Sequence, residues 1–470
     1  MKIITKTLMA SCIACACASL PVLAAEKVDL IITNAQILPM DGQQRIIDDG
    51  AIVVKGNKIV ALGEMKIASQ YEAKRTIDAG GDIVMPGMIN THNHIPMVAF
   101  RGLGENGVEN RLINFMFPLE KEMLSRDLIR TASRHAAMEL ALSGVTLITD
   151  MYYHEDEVAK SVAEVGIRGV LGETVIGFPV VDAKQPYGGL EYAEKFIDEW
   201  KDHPLITPAV APHAPYTVSA EWLIKAKDLA VEKQVPLLTH LAEFTWEESK
   251  TDAFSEQMQP GQSVIEYLDS IGFLVDNLVA AHVNHLDEQD MALLKKHGVG
   301  IAHNPKANTK GNNGYSPSWD MVNKGLDVGL GTDGPMSSNQ MDIINVMGYA
   351  AVVARTNHGD NAKFTPYELV ELATIGGARV LDMDDEIGSL EVGKKADIVI
   401  VDTDAPNTQP NYDPFATLAF SAYPQNVTHT IVDGKVIVAD GKLTTVSQQA
   451  HDKEWLPMTK KVGEFAKTLN

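Results

Sequence analysis

Histidine, aspartate and glutamate recur in this chain in short motifs that close apolar runs, and these residue types are common ligands of catalytic metals. Thr91-His92-Asn93-His94 is the first such motif and follows an apolar run that begins at Ile83. Residues two apart on a strand point to the same face, so both imidazoles could ligate one metal ion. A hydrogen-bonded pair at the surface is the alternative, and the motif alone does not decide between them.

Three later motifs offer further metal-binding or acid–base groups, and each also has an ordinary structural interpretation. Thr-His-Leu-Ala-Glu supplies His240 as a third nitrogen ligand and Glu243 as a nearby carboxyl group, or else a core histidine and a solvated glutamate. Ala-His-Val-Asn-His supplies His282, which we expect to face inward; a regular strand cannot turn His285 inward as well, so we expect a structural or loop histidine there. Gly-Thr-Asp-Gly lets Asp333 approach a crowded centre, or simply marks a turn.

These motifs lie in a region where short apolar runs alternate with amphipathic helical stretches, a pattern that predicts βα units and a parallel sheet. Eight such units close a TIM barrel, whose catalytic groups lie at the C-terminal ends of its strands. If the barrel closes, the imidazoles of His92, His94 and His240 and the carboxylate of Asp333 converge at one end of it. A single hypothesis then explains all of these motifs, which the separate structural interpretations do not. The predicted barrel strands are Ile83–His94, Thr146–Asp150, Arg168–Thr174, Leu205–His213, Pro236–Glu243, Leu278–His285, Gly300–Asn304 and Asp327–Asp333.

Both ends of the mature chain consist of short strand-like runs separated by turn residues, which indicates an accessory β-domain. We therefore predict the α/β class: a (β/α)8 TIM barrel with a small β-sandwich that draws on both chain ends. The predicted sandwich comprises residues 26–81 and 389–446, and the barrel comprises residues 82–388. A C-terminal helix within residues 447–470, roughly Asp452 to Thr468, closes the chain.

The first 25 residues are predicted to be a signal peptide rather than part of this fold. Lys2 and Lys6 precede an apolar, small-residue stretch that ends in Val22-Leu23-Ala24, which is typical of secretory leaders. We expect export to the periplasm or beyond, with lipoprotein processing as a less favoured alternative. The cysteines all lie in this segment, at Cys12, Cys15 and Cys17, so disulfides and thiolate metal ligands are excluded from the mature chain.

Composition restricts the binding partners. The 470 residues are 45% hydrophobic and 22% charged, as in ordinary globular proteins, and carry a net charge of −22. Because the sequence contains no run of lysine or arginine, nucleic acid and anionic membranes are disfavoured as partners. No segment after the leader has the apolar length of a membrane span. A small-molecule substrate is expected, and assembly into a homo-oligomer stays open.

Taken together, the motifs resemble the amidohydrolase superfamily, and within it the branch of 5′-methylthioadenosine/S-adenosylhomocysteine deaminases and triazine chlorohydrolases. The resemblance covers essentially the whole mature chain. It rests on Pro86–His94, Thr239–Glu243, Ala281-His282, His303-Asn304-Pro305, Gly331–Gly334 and the Gly-Ser-Leu-Glu-Val-Gly-Lys-Lys-Ala-Asp run of residues 388–397.

The resemblance implies one divalent metal, usually zinc and sometimes iron, bound by His92, His94, His240 and Asp333. It implies no carboxylated lysine, and no lysine stands at the end of strand four. Such a metal lowers the pKa of bound water from about 15.7 toward about 7.

The catalytic roles follow as hypotheses from the same resemblance. Asp333 accepts a proton from the attacking water, and His282 orients that water. Glu243 protonates a ring nitrogen of the substrate during addition and then returns a proton to the leaving amine, which is general acid–base catalysis.

The resemblance also implies several substrate contacts. Glu120 matches a glutamate that binds ribose hydroxyls, or else stabilises a helix N-terminus. His213, His303 and Asn304 lie at predicted strand ends and could line the pocket. The arginines that hold the substrate carboxylate in S-adenosylhomocysteine deaminases are missing after strand three, where Glu173 could face a neutral or cationic group instead.

The predicted function is therefore metal-dependent deamination of an aminated purine nucleoside, such as 5′-methylthioadenosine, or of a related N-heterocycle. The alternatives are a triazine hydrolase that displaces chloride or a substituted amine, and a cyclic-amide hydrolase. A binding protein that has lost catalysis is disfavoured, because no expected ligand or acid is missing. The export signal is unusual for a nucleoside-salvage enzyme.

Overall fold

The structure is a computed structural model that describes residues 25–108, 111–245, 247, 258–259, 261–359 and 363–469. Apart from residue 25, the predicted signal peptide lies outside the described residues. Two sheets organise the described chain: an eight-stranded parallel sheet in sequence order, and a nine-stranded mixed sheet formed by both chain ends. The predicted barrel with an accessory β-domain is thereby confirmed.

The strands are, in chain order, β1 (Glu26–Ile37), β2 (Ile47–Lys55), β3 (Lys58–Glu64), β4 (Tyr71–Asp78), β5 (Ile83–Pro86), β6 (Met88–Asn93), β7 (Val145–Tyr152), β8 (Arg168–Val175), β9 (Ile206–Pro212), β10 (Leu237–Leu241), β11 (Leu278–His282), β12 (Gly300–His303), β13 (Val328–Leu330), β14 (Ile398–Val401), β15 (Val427–Val432), β16 (Lys435–Ala439) and β17 (Lys442–Leu443). Strands β6 to β13 form the barrel, and the others form the mixed sheet.

The α-helices are α1 (Phe117–Met123), α2 (Arg126–Leu142), α3 (Glu155–Val165), α4 (Gly189–Trp200), α5 (Ala220–Lys233), α6 (Val264–Ser270), α7 (Glu288–Lys296), α8 (Pro305–Lys310), α9 (Ser318–Asn323), α10 (Ile343–His358), α11 (Pro366–Ala373), α12 (Ile375–Val380), α13 (Pro414–Ala416) and α14 (Gln448–Ala466). Shorter 3-10 turns cover Met65–Gln70, Ile95–Phe100 and Pro424–Asn426, and π-helical turns cover Leu112–Met116 and Thr417–Ser421. Among the described helices, none is both long and apolar enough to span a membrane.

The barrel closes between its first and last strands through backbone hydrogen bonds at the C-terminal end. The amides of Thr332 and Asp333 donate to the carbonyl oxygen of His92, over 3.2 and 3.1 Å. Inside the barrel, alternate strand residues such as Leu147, Val170 and Leu238 form a buried apolar cluster. The residues between these point outward and pack against the helices. Because the interior is filled by apolar side chains, the polar groups that face inward lie at the strand ends.

The run predicted as one strand, Ile83–His94, is divided at Gly87 into β5 and β6. Strand β5 pairs antiparallel with β14 in the mixed sheet, whereas β6 begins the barrel. A Cβ atom on Gly87 would lie 2.0 Å from Oγ1 of Thr146, so only glycine fits where the chain passes between the sheets. The run is apolar on both sides of this point, and its hydrophobic pattern therefore gave no sign of the division.

The mixed sheet is one continuous hydrogen-bonded sheet that curves around its own core. Strand β1 pairs with β2 on one edge and with β4 and β5 on the other, which links the N-terminal strands to β14–β17. Ile32, Ile52, Ile398 and Ile431 share one buried cluster although they come from opposite ends of the chain. The hydrophobic core of the accessory domain therefore requires both ends of the chain, which are separated in sequence by the whole barrel.

The C-terminal helix is present as α14 and packs on α2 of the barrel. Trp455 stacks on His135 with 4.5 Å between ring centroids, and His135 Nδ1 lies 3.2 Å from His451 Nε2. The helix begins four residues before the predicted start at Asp452, because Ser447 caps it by accepting a hydrogen bond from the amide of Ala450.

Candidate metal centre and active site

Three imidazoles and one carboxylate converge at the C-terminal end of the barrel, as the sequence predicts. His92 lies near the end of β6, His94 directly follows it, His240 is on β10 and Asp333 follows β13. The Nε2 atoms of His94 and His240 are 3.2 Å apart. Oδ1 of Asp333 lies 3.3 Å from Nε2 of His94 and 3.7 Å from Nε2 of His92.

The hydrogen bonds of these rings leave their Nε2 atoms available to a metal. Nδ1 of His94 donates to the carbonyl oxygen of Met151 (2.6 Å), and Nδ1 of His240 donates to that of His213 (2.7 Å). Nε2 of His92 is buried and has no hydrogen-bond partner among the described residues. Tetrahedral zinc with Zn–N bonds of 2.0–2.1 Å places two ligand nitrogens about 3.3 Å apart. The donor set therefore fits one small divalent metal.

The charge state of the cluster suits the same role. Burial lowers the pKa of His92 and of His240 well below the usual range, and neighbouring imidazoles act in the same direction, so both rings are neutral. Burial would raise the pKa of Asp333, but hydrogen bonding and charge from His94 outweigh it and hold that pKa below its ordinary value. Burial would lower the pKa of His94, but its hydrogen bond with Asp333 and the charge of that carboxylate raise it to about 9. Two neutral imidazoles and an anionic carboxylate are forms that ligate a divalent cation, and a bound metal would displace the proton from Nε2 of His94.

Asp333 reaches the cluster because its backbone leaves the strand conformation. Its φ angle of 58° lies in the left-handed region, which aspartate tolerates better than most residues. Its Oδ1 also accepts a hydrogen bond from the amide of Gly334 (2.6 Å). A Cβ on Gly334 would lie 3.3 Å from the His94 side chain, so glycine allows the close approach of the two segments.

His282 borders the metal cluster with a defined tautomer. Its Nδ1 donates to Oδ1 of Asn308 over 2.8 Å, which leaves the Nε2 lone pair facing His92 and His240. Burial lowers the pKa of His282, so the ring is neutral and can accept a hydrogen bond from a water molecule. The backbone leaves strand geometry here, with φ angles of 74° and 43° at His282 and Val283.

Because of this turn, His285 also reaches the cavity wall. On a regular strand, which the sequence analysis assumed, His282 and His285 could not both face inward. Nε2 of His285 donates to the carbonyl oxygen of Asn313 over 2.7 Å, which ties the following loop to the end of β11. His285 therefore links the end of β11 to the loop after α8, and it also borders the cavity.

Glu243 lies beside the cluster and faces the same cavity. Burial, reinforced by the nearby Asp333 carboxylate, raises the pKa of Glu243 well above its usual value and favours the protonated form. Its Oε1 accepts a hydrogen bond from Nδ2 of Asn313 (2.9 Å), and the Tyr216 side chain is also hydrogen-bonded to the carboxyl group. Its Oε2 lies 3.9 Å from Nε2 of His282. A buried neutral carboxyl in this position can donate a proton to a bound ligand.

The cavity above the cluster has a volume of about 1050 Å³ and contains two of the predicted substrate contacts. Glu120, on α1, is buried and its Oε1 accepts a hydrogen bond from the Tyr152 hydroxyl over 2.5 Å. Burial raises the pKa of Glu120 to about 7. His213 also lines the cavity, with Nδ1 2.8 Å from Oγ1 of Thr217. Burial lowers the pKa of His213 to about 3, so this ring is neutral.

Three predicted substrate contacts do not line the cavity. Glu173 points outward from β8, because the interior positions on this strand are Gly172 and Thr174; its Oε2 accepts a hydrogen bond from the amide of Glu155 (3.0 Å). His303 also points away from the barrel axis, toward Oγ of Ser318 on α9 (3.2 Å).

Asn304 is the third of them. It is fully buried beneath the cavity, where Nδ2 donates to the carbonyl oxygen of Ala302 (3.1 Å) and a Cβ on Gly331 would meet its Oδ1 at 2.3 Å. The structure thus places Glu173, His303 and Asn304 outside the cavity lining, where we had expected them to contact the substrate.

Four site residues were missed by the sequence interpretation, namely Asn308, Asn313, Tyr152 and Tyr216. Each touches a predicted site residue from a segment distant in sequence: 26 residues separate Asn308 from His282, and 70 separate Asn313 from Glu243. Asparagine and tyrosine are common in loops and at strand ends, so no local signal distinguishes these four.

Comparisons with known proteins agree with this geometry. The model of the amidohydrolase family matches residues 83–437. The chain is 36% identical to a 5-methylthioadenosine/S-adenosylhomocysteine deaminase of Syntrophobacter fumaroxidans, over 90% of this chain and 95% of the relative. It is 37% identical to the protein of the same name from Symbiobacterium thermophilum, over 87% and 94% of the two chains.

Solved structures with the same fold include two that contain zinc. An adenosine deaminase from Xanthomonas campestris with bound zinc is similar with a TM-score of 0.88 and 29% identity, covering 94% of this chain and 100% of the other. A zinc complex of an atrazine chlorohydrolase from Arthrobacter aurescens TC1 shares the fold, with a TM-score of 0.83 at 22% identity and coverage of 92% and 100%. With its barrel, its converging histidines and these matches, the chain belongs to the amidohydrolase family and is a hydrolase of carbon–nitrogen bonds.

Proposed function

We propose that this protein is a zinc-dependent aminohydrolase that deaminates an adenine nucleoside, with 5′-methylthioadenosine as the model substrate. The observation that carries the proposal is Glu243, a buried carboxyl group that faces the cavity beside the His92–His94–His240–Asp333 cluster and whose pKa is raised by burial. Hydrolytic deamination of an aromatic ring needs both activated water and an acid for the ring nitrogen, and this arrangement offers both within one cavity. The names of the deaminase relatives support the same substrate class.

The charged groups at the cavity mouth favour a substrate without a carboxylate. Arg111 and Lys310 are cations that line the cavity, and both pair with Glu105, at 3.3 and 2.7 Å. Arg111 also donates to the backbone carbonyl oxygen of Met336 over 2.9 Å. Because these donors are already engaged, a neutral 5′-substituent such as a methylthio group fits better than the amino-acid group of S-adenosylhomocysteine.

In the addition step, each residue has a separate task. Zinc, when bound by the cluster, supplies a water activated at neutral pH. Asp333 takes one proton from this water, and the neutral His282 accepts a hydrogen bond that directs the water oxygen toward the ring carbon. Glu243 gives its proton to the adjacent ring nitrogen, so the carbon–oxygen bond forms without charge building up on the ring.

In the elimination step, the protons return to where they began. Asp333 gives its proton to the amino group, the carbon–nitrogen bond breaks and ammonia leaves. The added hydroxyl loses its proton to Glu243 as the carbonyl of the product forms. Glu243 ends protonated and Asp333 ends ionised, so both residues are ready for another cycle.

Ammonia release from purified mature protein, with zinc restored, tests the proposal. The panel contains 5′-methylthioadenosine, adenosine, S-adenosylhomocysteine, pterins and aminotriazines. We expect release from 5′-methylthioadenosine with a matching change in purine absorbance, and a rate that falls about 10²–10⁴-fold in Glu243→Gln with metal content retained. No turnover of any adenine compound would refute the substrate class, and full activity of Glu243→Gln would refute the acid.

Zinc as the bound metal and export as the destination belong to the same proposal. Three nitrogens with one carboxylate suit zinc, although ferrous iron accepts the same ligands; metal analysis of protein purified without added metal distinguishes them. The basic and then apolar character of residues 1–25 supports export. Fractionation of cells that express the chain with and without these residues tests it, and retention of both forms in the cytoplasm would refute export.

A further inference from the structure

The segment after β12 supports both of the neutral acid–base side chains of the site. Asn308, in α8, holds Nδ1 of His282 (2.8 Å), and Asn313, in the loop after α8, holds Oε1 of Glu243 (2.9 Å). The sequence interpretation assigned this region to substrate binding through His303 and Asn304, but the structure turns both of those away from the cavity. The two asparagines instead reach the catalytic groups.

The contact of Asn313 with Glu243 has a direction that matters for proton transfer. Nδ2 of an asparagine can only donate, so Oε1 of Glu243 must act as an acceptor. A neutral carboxyl carries its proton on one oxygen, and the acceptor role of Oε1 leaves Oε2 for it. Oε2 is the oxygen that lies 3.9 Å from Nε2 of His282, on the side of the metal cluster.

We propose that Asn313 is a positioning residue of the reaction, which fixes Oε1 of Glu243 as an acceptor and thereby places the transferable proton on Oε2. The proposal rests on the role of Glu243 as the acid in the proposed function. Without Asn313, the carboxyl group loses the donor that fixes Oε1 as an acceptor, so the group can rotate and the transferable proton is no longer held on the oxygen that faces the metal cluster.

The loop is anchored well enough to perform this task. The carbonyl oxygen of Asn313 accepts hydrogen bonds from Nε2 of His285 (2.7 Å) and from Nδ2 of Asn284 (3.4 Å). Asn284 also donates to the carbonyl oxygen of Glu243 over 3.1 Å, so main chain and side chain of Glu243 are tied to the same loop. His285 thereby acquires a role: it holds the residue that orients the acid.

The kinetic test compares Asn313→Ala with Tyr315→Phe, a control in the same loop. Tyr315 does not line the cavity, and its hydroxyl has no hydrogen-bond partner among the described residues, so removing that hydroxyl disturbs no contact of the site. We expect Asn313→Ala to lower kcat about 10- to 100-fold with KM within about threefold of the wild type, and the control to leave both unchanged. Asn313→Asp, which keeps the size of the side chain but lacks the donor, should lose at least as much and serves if the alanine variant fails to fold.

A double-mutant cycle separates positioning from a structural role. In the Glu243→Gln background, the change Asn313→Ala should have almost no further effect on kcat, because there is no acid left to orient. A loss that simply adds to that of Glu243→Gln, with equal metal content in all variants, would overturn the proposal.

An infrared measurement tests the proposal without turnover. The carbonyl stretch of the protonated Glu243 carboxyl is identified by its loss in Glu243→Gln, and it should move to higher wavenumber in Asn313→Ala because Oε1 loses its hydrogen bond. An unmoved band, or no band to identify, would overturn the proposal. If adenine compounds fail as substrates but the band moves, the positioning role stands and only the substrate class falls.

Discussion

Two buried charged clusters lie at opposite ends of the same barrel, and they use their hydrogen-bonding capacity differently. At the N-terminal end of β8, Arg168 donates to both carboxylate oxygens of Asp397 (2.6 and 3.1 Å), to Asp433 (2.9 Å) and to the carbonyl oxygen of Pro204 (3.1 Å). At the C-terminal end, the metal cluster leaves Nε2 of His92 without any hydrogen-bond partner among the described residues.

The difference separates a cluster built for stability from one built for binding. Arg168 joins the barrel to the accessory sheet, since Asp397 precedes β14 and Asp433 follows β15, and its charge is balanced within the protein. In the metal cluster, hydrogen bonds to backbone carbonyls fix Nδ1 of His94 and of His240, and Nε2 of His92 has no partner among the described residues. The hydrogen-bonding capacity of this cluster is therefore completed only by a ligand. A saturated buried cluster therefore indicates a joint in the fold, and an unsaturated one indicates a site.

The strongest test of the comparison is Asp333→Asn. The amide removes the anionic ligand and the base for the water proton together, so we expect loss of metal and a fall in kcat of about 10⁴-fold or more. Metal analysis and ammonia release measure the two effects. Because the cluster serves binding rather than folding, the unfolding free energy of metal-free protein should change little; a collapse of stability would contradict the distinction.

Arg168→Ala tests the opposite expectation, that the cluster at the N-terminal end of β8 affects stability and not activity. It leaves two buried carboxylates without their counter-ion, which destabilises a fold by about 3–5 kcal/mol. Denaturant unfolding measures the loss, and kcat per folded molecule should remain near that of the wild type. Unchanged stability, or a loss of turnover in protein that is still folded, would show that the two ends of the barrel are not separate in function.

Much of this organisation was predictable from the sequence, because the features concerned are local. The alternation of apolar runs and helices predicted the barrel, and the His, Asp and Glu residues at strand ends predicted the cluster, since parallel strands present their ends together. Glu120 and Glu243, to which the resemblance assigned roles at the substrate, both line the cavity.

The remainder depends on register and on contacts between distant segments. Side chains alternate along a strand, so a shift of one position decides whether Glu173 or Thr174 faces the cavity, and a wholly buried strand such as β8 has no polar face to reveal the register. The division at Gly87 and the partners Asn308 and Asn313 depend on segments brought together only by the fold.

Glu120 gives a smaller, pH-dependent test within the cavity. Burial raises its pKa to about 7, so the side chain is neutral below that pH and a carboxylate above it. Substrate hydroxyls bind a carboxylate more strongly, so kcat/KM should rise as pH increases through 7, by up to about tenfold. Glu120→Gln should abolish this rise and raise KM. The same pH profile in the variant and the wild type would remove Glu120 from substrate binding.

Glu173→Gln should have the smallest effect, and it sharpens the boundary of the site. Glu173 is as deeply buried as Glu120 and comes from the same end of the barrel, but it accepts a hydrogen bond from the amide of Glu155 behind the barrel wall. An amide oxygen can accept that bond equally well, so kcat/KM should stay within about twofold of the wild type. If kcat/KM fell as much as in Glu120→Gln, carboxylates behind β8 would also act on the substrate. The functional region would then be defined by burial at the strand ends and not by access to the cavity.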